Sequence, residues 1–245
     1  MKVELINHTQ FALETLIYTK NTRLQGQMSL DDIISWPFEK KEDEFKYMLD
    51  TIQSSLEFVD YTFKISGVTR AFTHQLVRTR TGSYAQEAQR VVDVRDQEVL
   101  NTTGDTLFDE LSNYILNEYG KMIDSGVSVQ DARGILPTNM TTNIICKFNL
   151  RTLHDMSLLR LCKRAQGEYQ KVFKQIVDSV VAVHPWAERY LKVYCVWYGS
   201  CAFPRYTECP MQTNCFKPDR EDLQAKFDQI EHEAAPVLVQ NGRTM

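Results

Sequence analysis

A single α/β domain, a central β-sheet flanked by helices, is the fold this sequence predicts. Three observations carry it. Short segments rich in aromatic and β-branched residues alternate with longer segments of helical period. The composition, 43% hydrophobic and 24% charged, is that of a globular chain with core enough to fold alone. No repeat, low-complexity tract or linker divides the 245 residues, so one domain is expected over 1–245.

The elements follow in order. Val3 to Ile6 alternates as a short strand does, and Phe11 to Lys20 has a helical period. Asp43 to Leu56 predicts an amphipathic helix with Phe45, Met48, Leu49 and Ile52 on one side. Phe58 to Ile65 reads as a strand that Gly67 ends. Val68, Ala71, Phe72 and Leu76 then keep a helical period as far as Arg80. Gly82 breaks that helix, and Ser83 to Val94 is expected to return extended.

Thr106 to Met122 predicts a helix with Leu107, Leu111, Tyr114, Ile115 and Tyr119 at helical spacing, and a short helix near Val127 to Arg133 stops before Pro137. Asn143 to Phe148 reads as a strand, after which Asn149 can cap a helix running to about Val180. Trp186 to Gly199 is expected to be helical. A cysteine-bearing loop and a polar helix near Asp219 to His232 follow.

Charge and composition narrow the function. The net charge of −4 argues against a general nucleic-acid surface, because counterion release needs many cations. No apolar run reaches the roughly 18 residues of a membrane helix, and Met1 to Asn7 has no signal-peptide core. A cytoplasmic protein is expected, with Cys146, Cys162, Cys195, Cys201, Cys209 and Cys215 reduced. None of the last four cysteines has zinc-knuckle spacing, so no metal site is expected there. His74 reads as structural and His184 as a loop residue, while His8, His154 and His232 have no partner at metal-ligand spacing. Phosphate-loop, dinucleotide and serine-elbow motifs do not occur.

Two basic elements remain. In the first, Arg78, Arg80 and Arg90 are interleaved with Thr79, Ser83 and Gln86. Guanidiniums this close repel one another unless an anion lies among them, and their rigid fork suits phosphate or carboxylate oxygens. Arg78 and Arg80 alone could instead be cations stabilising a helix C-terminus. The second element carries Arg151, Asp155, Arg160, Arg164 and Gln166. Arg151 and Asp155 are spaced to form a surface pair. Arg160 and Arg164 share a helical face. Arg151 and Arg160 lie half a turn out of phase and should meet different ligands or different subunits. This helix also reads as a solvated face.

Together the two elements resemble the flavin-dependent thymidylate synthases, the ThyX family, whose signature is Arg-His-Arg-x-x-Ser followed by a polar run ending in arginine. Here it stands as Arg78-Thr79-Arg80-Thr81-Gly82-Ser83 and runs on to Arg90. The lead-in from Phe63 through Arg70 to Gln75 is similar to the family's. So are Ala132-Arg133-Gly134-Ile135-Leu136-Pro137, Asn149-Leu150-Arg151 and Leu159-Arg160-Leu161-Cys162-Lys163-Arg164-Ala165-Gln166. The blocks keep the family's order and separation across nearly the whole chain.

The resemblance implies a homotetramer with active sites shared between subunits, binding a small nucleotide and a folate. It implies FAD as cofactor, dUMP as substrate, methylenetetrahydrofolate as one-carbon donor and NADPH as reductant. It assigns Gln75, Arg78, Gln86, Glu87, Ala88, Arg90, Arg133 and Arg160 to the nucleotide, with Arg160 catalytic at the pyrimidine. It assigns Ser54, Arg78, Thr79, Arg80, Gln86, Asn149, Arg151 and Asp155 to FAD. Thr79 stands where the signature has histidine, Ala85 and Ala88 replace polar residues, and Ile52 and Phe58 replace frequent histidines. Asp155 and Arg164 replace an asparagine and a histidine. These departures leave open a same-fold enzyme that acts on dCMP or hydroxymethylates the pyrimidine, and a non-catalytic nucleotide-binding paralogue.

Overall fold

In the computed structural model, residues 1–23, 26–51, 53–203, 209, 224–226 and 228–230 are described. Four strands form one antiparallel sheet in the order β1-β2-β4-β3: β1 Lys2–His8, β2 Asp60–Thr69, β3 Ser83–Gln86 and β4 Thr141–Asn149. The alternation of the strands decides what each face meets. Tyr61, Phe63 and Ile65 of β2 and Ile144, Cys146 and Phe148 of β4 point into the core. Lys64, Ile145 and Lys147 point away, and that face is open in the single chain.

Helices cover the buried face. The order is α1 Ala12–Arg23, α2 Leu30–Ile34, α3 Phe38–Thr51, α4 Arg70–Leu76, α5 Thr106–Asp124, α6 Val129–Ala132, α7 Leu150–Arg160, α8 Gly167–Val183 and α9 Tyr194–Tyr198. α8 buries Tyr169, Val172, Phe173, Ile176 and Val180, and lies across β1 and β2. Lys41 is buried and closes on Glu14 at 2.7 Å, and Lys20 pairs with Glu44, so two ion pairs join α1 to α3.

Several boundaries differ from expectation, each for a local reason. Gly67 does not end β2. It sits in a bulge at φ +66°, and the strand resumes to Thr69, whose side chain caps α4 by accepting from Phe72 N. Val68 therefore belongs to the strand, and α4 stops at Leu76, leaving Arg78 and Arg80 in the turn beyond it. The extended return from Ser83 lasts only to Gln86. The helix expected from Leu150 to about Val180 is two helices, broken over 161–166, with Asn149 capping the first as expected. Trp186 to Gly199 holds a short 3₁₀ turn, Pro185–Arg189, and the separate α9.

The second amphipathic helix starts earlier, at Phe38, and gives way to a 3₁₀ turn over Gln53–Phe58. It buries Phe45 and Met48, while Ile52 lies outside the described residues. The expected helix over Asp219 to His232 also lies outside them, except for 224–226 and 228–230, which are helical. α5 forms as expected but buries little of its apolar stripe: Leu107, Leu111 and Tyr114 are 55%, 53% and 63% exposed. His184 is a half-buried cap of α8 rather than an open loop residue. Its Nδ1 lies 2.8 Å from the Tyr61 hydroxyl, and its ring meets His8 and Trp186. No helix among the described residues is long and apolar enough to cross a membrane.

Gly82 has a role the sequence reading missed. A Cβ there would stand 2.5 Å from a ring carbon of Phe148 and 2.6 Å from the Tyr84 hydroxyl. Neither ring can withdraw, because both are packed in the core. Gly82→Ala is expected to lower stability by about 1–3 kcal/mol, read as the denaturant midpoint. An unchanged midpoint would show that the turn gives way freely.

Candidate active site

The turn between α4 and β3 is built from the inside. Tyr84, whose ring packs edge-on against Phe148, holds its hydroxyl 2.6 Å from the carbonyl of Thr79 and 3.0 Å from that of Leu76. Burial pushes this phenol's pKa upward, so the proton is retained for those two acceptors. Thr152 of α7 donates to the Thr81 hydroxyl at 3.0 Å and ties the turn to the second basic element. The turn then has little choice about where its arginines go. Arg78 and Arg80 point outward and are exposed.

The side chains of Arg78, Arg80, Arg90 and Arg133 make no hydrogen bond or ion pair among the described residues. Arg70, half-buried behind them, donates to the Glu87 carbonyl at 2.8 Å, while its Nε is buried with no partner. Burial lowers the Arg70 pKa, and the charge of Arg133 pushes in the same direction against Glu87. A guanidinium cannot shed its charge in practice. The group is therefore a local excess of positive charge in a chain of net charge −4, which an anion would relieve.

The other assigned residues fall into distinct settings. Gln75 donates to Gln166 at 2.6 Å across the mouth of the α7–α8 break. Gln86 donates to Thr73 at 3.0 Å. Both Glu87 oxygens are engaged by Asn143, at 3.0 Å from its N–H and 2.6 Å from its side chain, so Glu87 fixes the end of β3. Ala88 is exposed beside it.

At the other end of α7, Asn149 accepts from Thr152 N at 2.8 Å. Arg151 pairs with Glu57 at 2.7 Å, not with Asp155 as expected from the spacing. Ser54 is exposed in the 53–58 turn, and Asp155 is exposed on α7. Arg160 does not share a helical face with Arg164, because α7 ends at Arg160 and Arg164 stacks on Phe203 at 4.6 Å.

Three residues important to this geometry escaped the sequence reading. The Arg160 guanidinium lies over the Tyr169 ring at 4.3 Å, and Thr79 and Arg160 are the polar groups nearest the Tyr169 phenol. That hydroxyl is buried without a hydrogen bond of good geometry. Burial raises the phenol's pKa, and Arg160 opposes the shift. Glu168 accepts from Thr69 N at 2.8 Å and from its hydroxyl at 2.6 Å, locking α8 to the start of α4. Arg70 is the third. Tyr169 gave no signal at helical spacing, since it lies nine positions after Arg160, half a turn out of phase on a continuous helix.

Exposed arginines near a sheet edge, backed by a cation on an aromatic ring, are suited to the oxygens of an anionic small molecule. The pattern described as thymidylate synthase complementing protein matches residues 4–186. A flavin-dependent thymidylate synthase of Pyrococcus furiosus is 31% identical over 82% of this chain and 89% of its own length. That of Pyrococcus horikoshii is 32% identical over 90% and 96%. A solved structure of thymidylate synthase X from Helicobacter pylori with FAD and dUMP matches at 21% identity and TM-score 0.64, over 78% of this chain and 99% of that one. The chain belongs to this family, that of the flavin-dependent thymidylate synthases.

Arg160 depends on the ring beneath it. Tyr169→Leu should lower kcat about tenfold, the worth of a desolvated cation–π contact, whereas Tyr169→Phe keeps the ring and should retain most turnover. Equal kcat in wild type and the leucine variant would show that Arg160 needs no platform.

Proposed function

We propose that this chain makes dTMP from dUMP, with methylenetetrahydrofolate giving the one-carbon unit and NADPH reducing bound FAD, as a cytoplasmic homotetramer with shared active sites. The observation that carries the reading is the set of exposed arginines whose side chains have no counter-charge among the described residues: Arg78 and Arg80 in the turn that the family signature occupies, Arg90 beyond β3, and Arg133, whose charge reaches Arg70 at the start of α4. Arg90 and Arg133, with Gln75 and Gln86, would hold the nucleotide. Arg78 would lie between nucleotide and flavin, and Arg80 would take the flavin's phosphates. The fork geometry of free guanidiniums fits a pyrophosphate. Ser54, Thr79, Asn149, Arg151 and Asp155 would complete the FAD contacts.

Reduced FAD, when bound, supplies the hydride for the pyrimidine. Arg160, held over Tyr169, would face the pyrimidine and favour its ionised, activated form. Glu87 and Ala88 would lie along the nucleotide through their backbone, since the Glu87 carboxylate is committed to Asn143. Arg151 and Arg160, roughly 14 Å apart along α7 and half a turn out of phase, would serve different active sites of the tetramer. The exposed stripe Leu107, Leu111 and Tyr114 supports self-association.

A second reading keeps the fold and changes the product. Thr79 replaces the signature histidine, and Tyr169 occupies the space beside it, so a dCMP-specific or hydroxymethylating enzyme is the alternative. Mass analysis of products from dUMP and dCMP, supplied with methylenetetrahydrofolate and NADPH, separates the two. A mass gain on dUMP of one CH2, a hydrogen replaced by a methyl group, is expected; turnover of dCMP alone would overturn the leading reading. Colourless protein that stays so after FAD is added would favour a non-catalytic paralogue. Arg90→Ala should weaken dUMP binding by about 2 kcal/mol, the loss of a charged hydrogen bond, and unchanged calorimetric affinity would make Arg90 structural.

A further inference from the structure

One face of α4 is seated on the α7–α8 break. Thr69, the cap of α4, and Phe72 and Gln75 within it are spaced by three and share a side of the helix. Their partners, Glu168, Tyr169 and Gln166, fall within the short stretch 166–169. Glu168 accepts from the Thr69 N–H at 2.8 Å and from its hydroxyl at 2.6 Å. The Phe72 ring stands edge-on to that of Tyr169, with centroids 4.9 Å apart. Gln75 donates to Gln166 at 2.6 Å.

The three contacts are unequal. Gln75 and Gln166 meet at the surface, where water competes for both amides. An edge-on ring pair holds over a range of offsets. Glu168 is the one charged partner of the three, it uses both of its oxygens, and the Thr69 it grips is buried. The Thr69 hydroxyl is committed at both ends. It accepts from Phe72 N at 3.0 Å, which caps α4, and it gives its proton to Glu168. The N–H groups of Arg70 and Ala71 bond the carbonyls of Met140 and Thr138, so they tie the start of α4 to the approach to β4. Those bonds leave the seat of α4 on α8 open. A charge-assisted contact at two points fixes that seat in both distance and rotation.

Both sides of the seat carry residues of the site. Gln75 lies on α4, and Arg78 and Arg80 lie in the turn just past it. Across the seat, Tyr169 follows Glu168 directly, and its ring lies 4.3 Å from the Arg160 guanidinium. We infer that Glu168 is a positioning residue: its two-point grip on Thr69 fixes the first turn of α8, and with it the Tyr169 platform under Arg160, against α4. The inference rests on the enzymatic reading given above, in which Arg160 faces the pyrimidine. Glu168 acts through Thr69 and Tyr169, not on the substrate. The Arg90 and Arg133 side chains, which would hold the nucleotide, make no hydrogen bond or ion pair with this seat among the described residues. The carboxylate therefore governs the fit of Arg160 to the reacting ring more than the grip on the nucleotide.

The test sets Glu168→Gln and Thr69→Val beside Thr69→Ser, each in the full chain loaded with FAD. Glu168→Gln keeps the shape and loses the charge and one acceptor; Thr69→Val keeps the volume and loses the hydroxyl. Misplacing a catalytic group by about 1 Å costs on the order of 100-fold, so a partial shift should lower kcat with dUMP about tenfold in both. The calorimetric Kd for dUMP should stay within about twofold of wild type, because binding that does not involve Arg160 is untouched. Thr69→Ser keeps the hydroxyl and should retain most of the turnover. The Glu168→Gln/Thr69→Val double variant should lose no more than the worse single one, since both break one contact. Hydrogen exchange of the α4 amides in the same preparations should quicken about tenfold in Glu168→Gln and stay near wild type in Thr69→Ser. Wild-type kcat or unchanged α4 exchange in Glu168→Gln, a Kd that weakens as much as kcat falls, or losses that multiply in the double variant would overturn the inference. A wild type that turns over no pyrimidine nucleotide would instead overturn the enzymatic reading, and α4 exchange would then decide by itself whether Glu168 holds the seat.

Discussion

The site rests on one phenol. Tyr84 lies on β3, packs on Phe148 of β4, and offers its proton to the carbonyls of Thr79 and Leu76. Those acceptors lie where α4 has ended and the chain must reverse into the sheet edge. Both carbonyls also accept backbone N–H groups, Leu76 from Thr79 at 3.0 Å and Thr79 from Gly82 at 3.1 Å, so the phenol adds a tie to the sheet on top of the turn's own hydrogen bonds. Gly82 is glycine because the same two rings leave no space for a Cβ. Arg78 and Arg80 are exposed in the turn that this packing shapes, so the positive charge of the edge is placed by a core contact.

The electrostatics are arranged on top of this frame. Acidic side chains that could neutralise the arginines are engaged elsewhere: Glu87 with Asn143, Glu168 with Thr69, and Glu57 with Arg151. Arg160 has an aromatic face in place of a carboxylate. Among the described residues four exposed guanidiniums are left without a partner, in a chain of net negative charge. Such an arrangement costs stability through self-repulsion and would be relieved by an anion.

Much of this was legible in the sequence. Strands β1, β2 and β4 and helices α1, α5 and α7 follow from periodicity and capping, and Asn149 caps α7 as its residue type suggested. The arginine edge was legible as spacing, because three guanidiniums within thirteen residues repel one another unless an anion lies among them. What was not legible depended on tertiary contacts. The bulge at Gly67 shows only in the register of β2 against β4, and the break after Arg160 interrupts a continuous helical pattern. The Glu57 partner of Arg151 and the Tyr169 platform under Arg160 join residues far apart in sequence or across the break. The apolar stripe of α5 was read correctly as a period but not as an exposed face, since period alone does not say what covers a helix.

The most direct test of this dependence is the affinity for dUMP of the Tyr84→Phe variant, measured by titration calorimetry beside the wild type. The substitution removes one hydroxyl and keeps the ring against Phe148. A loss of about tenfold in affinity, the worth of one hydrogen bond near 1.4 kcal/mol, with the ring packing and flavin content retained, is what the geometry predicts. Wild-type affinity in the phenylalanine variant would contradict it, by showing that the arginines hold their place without the phenol.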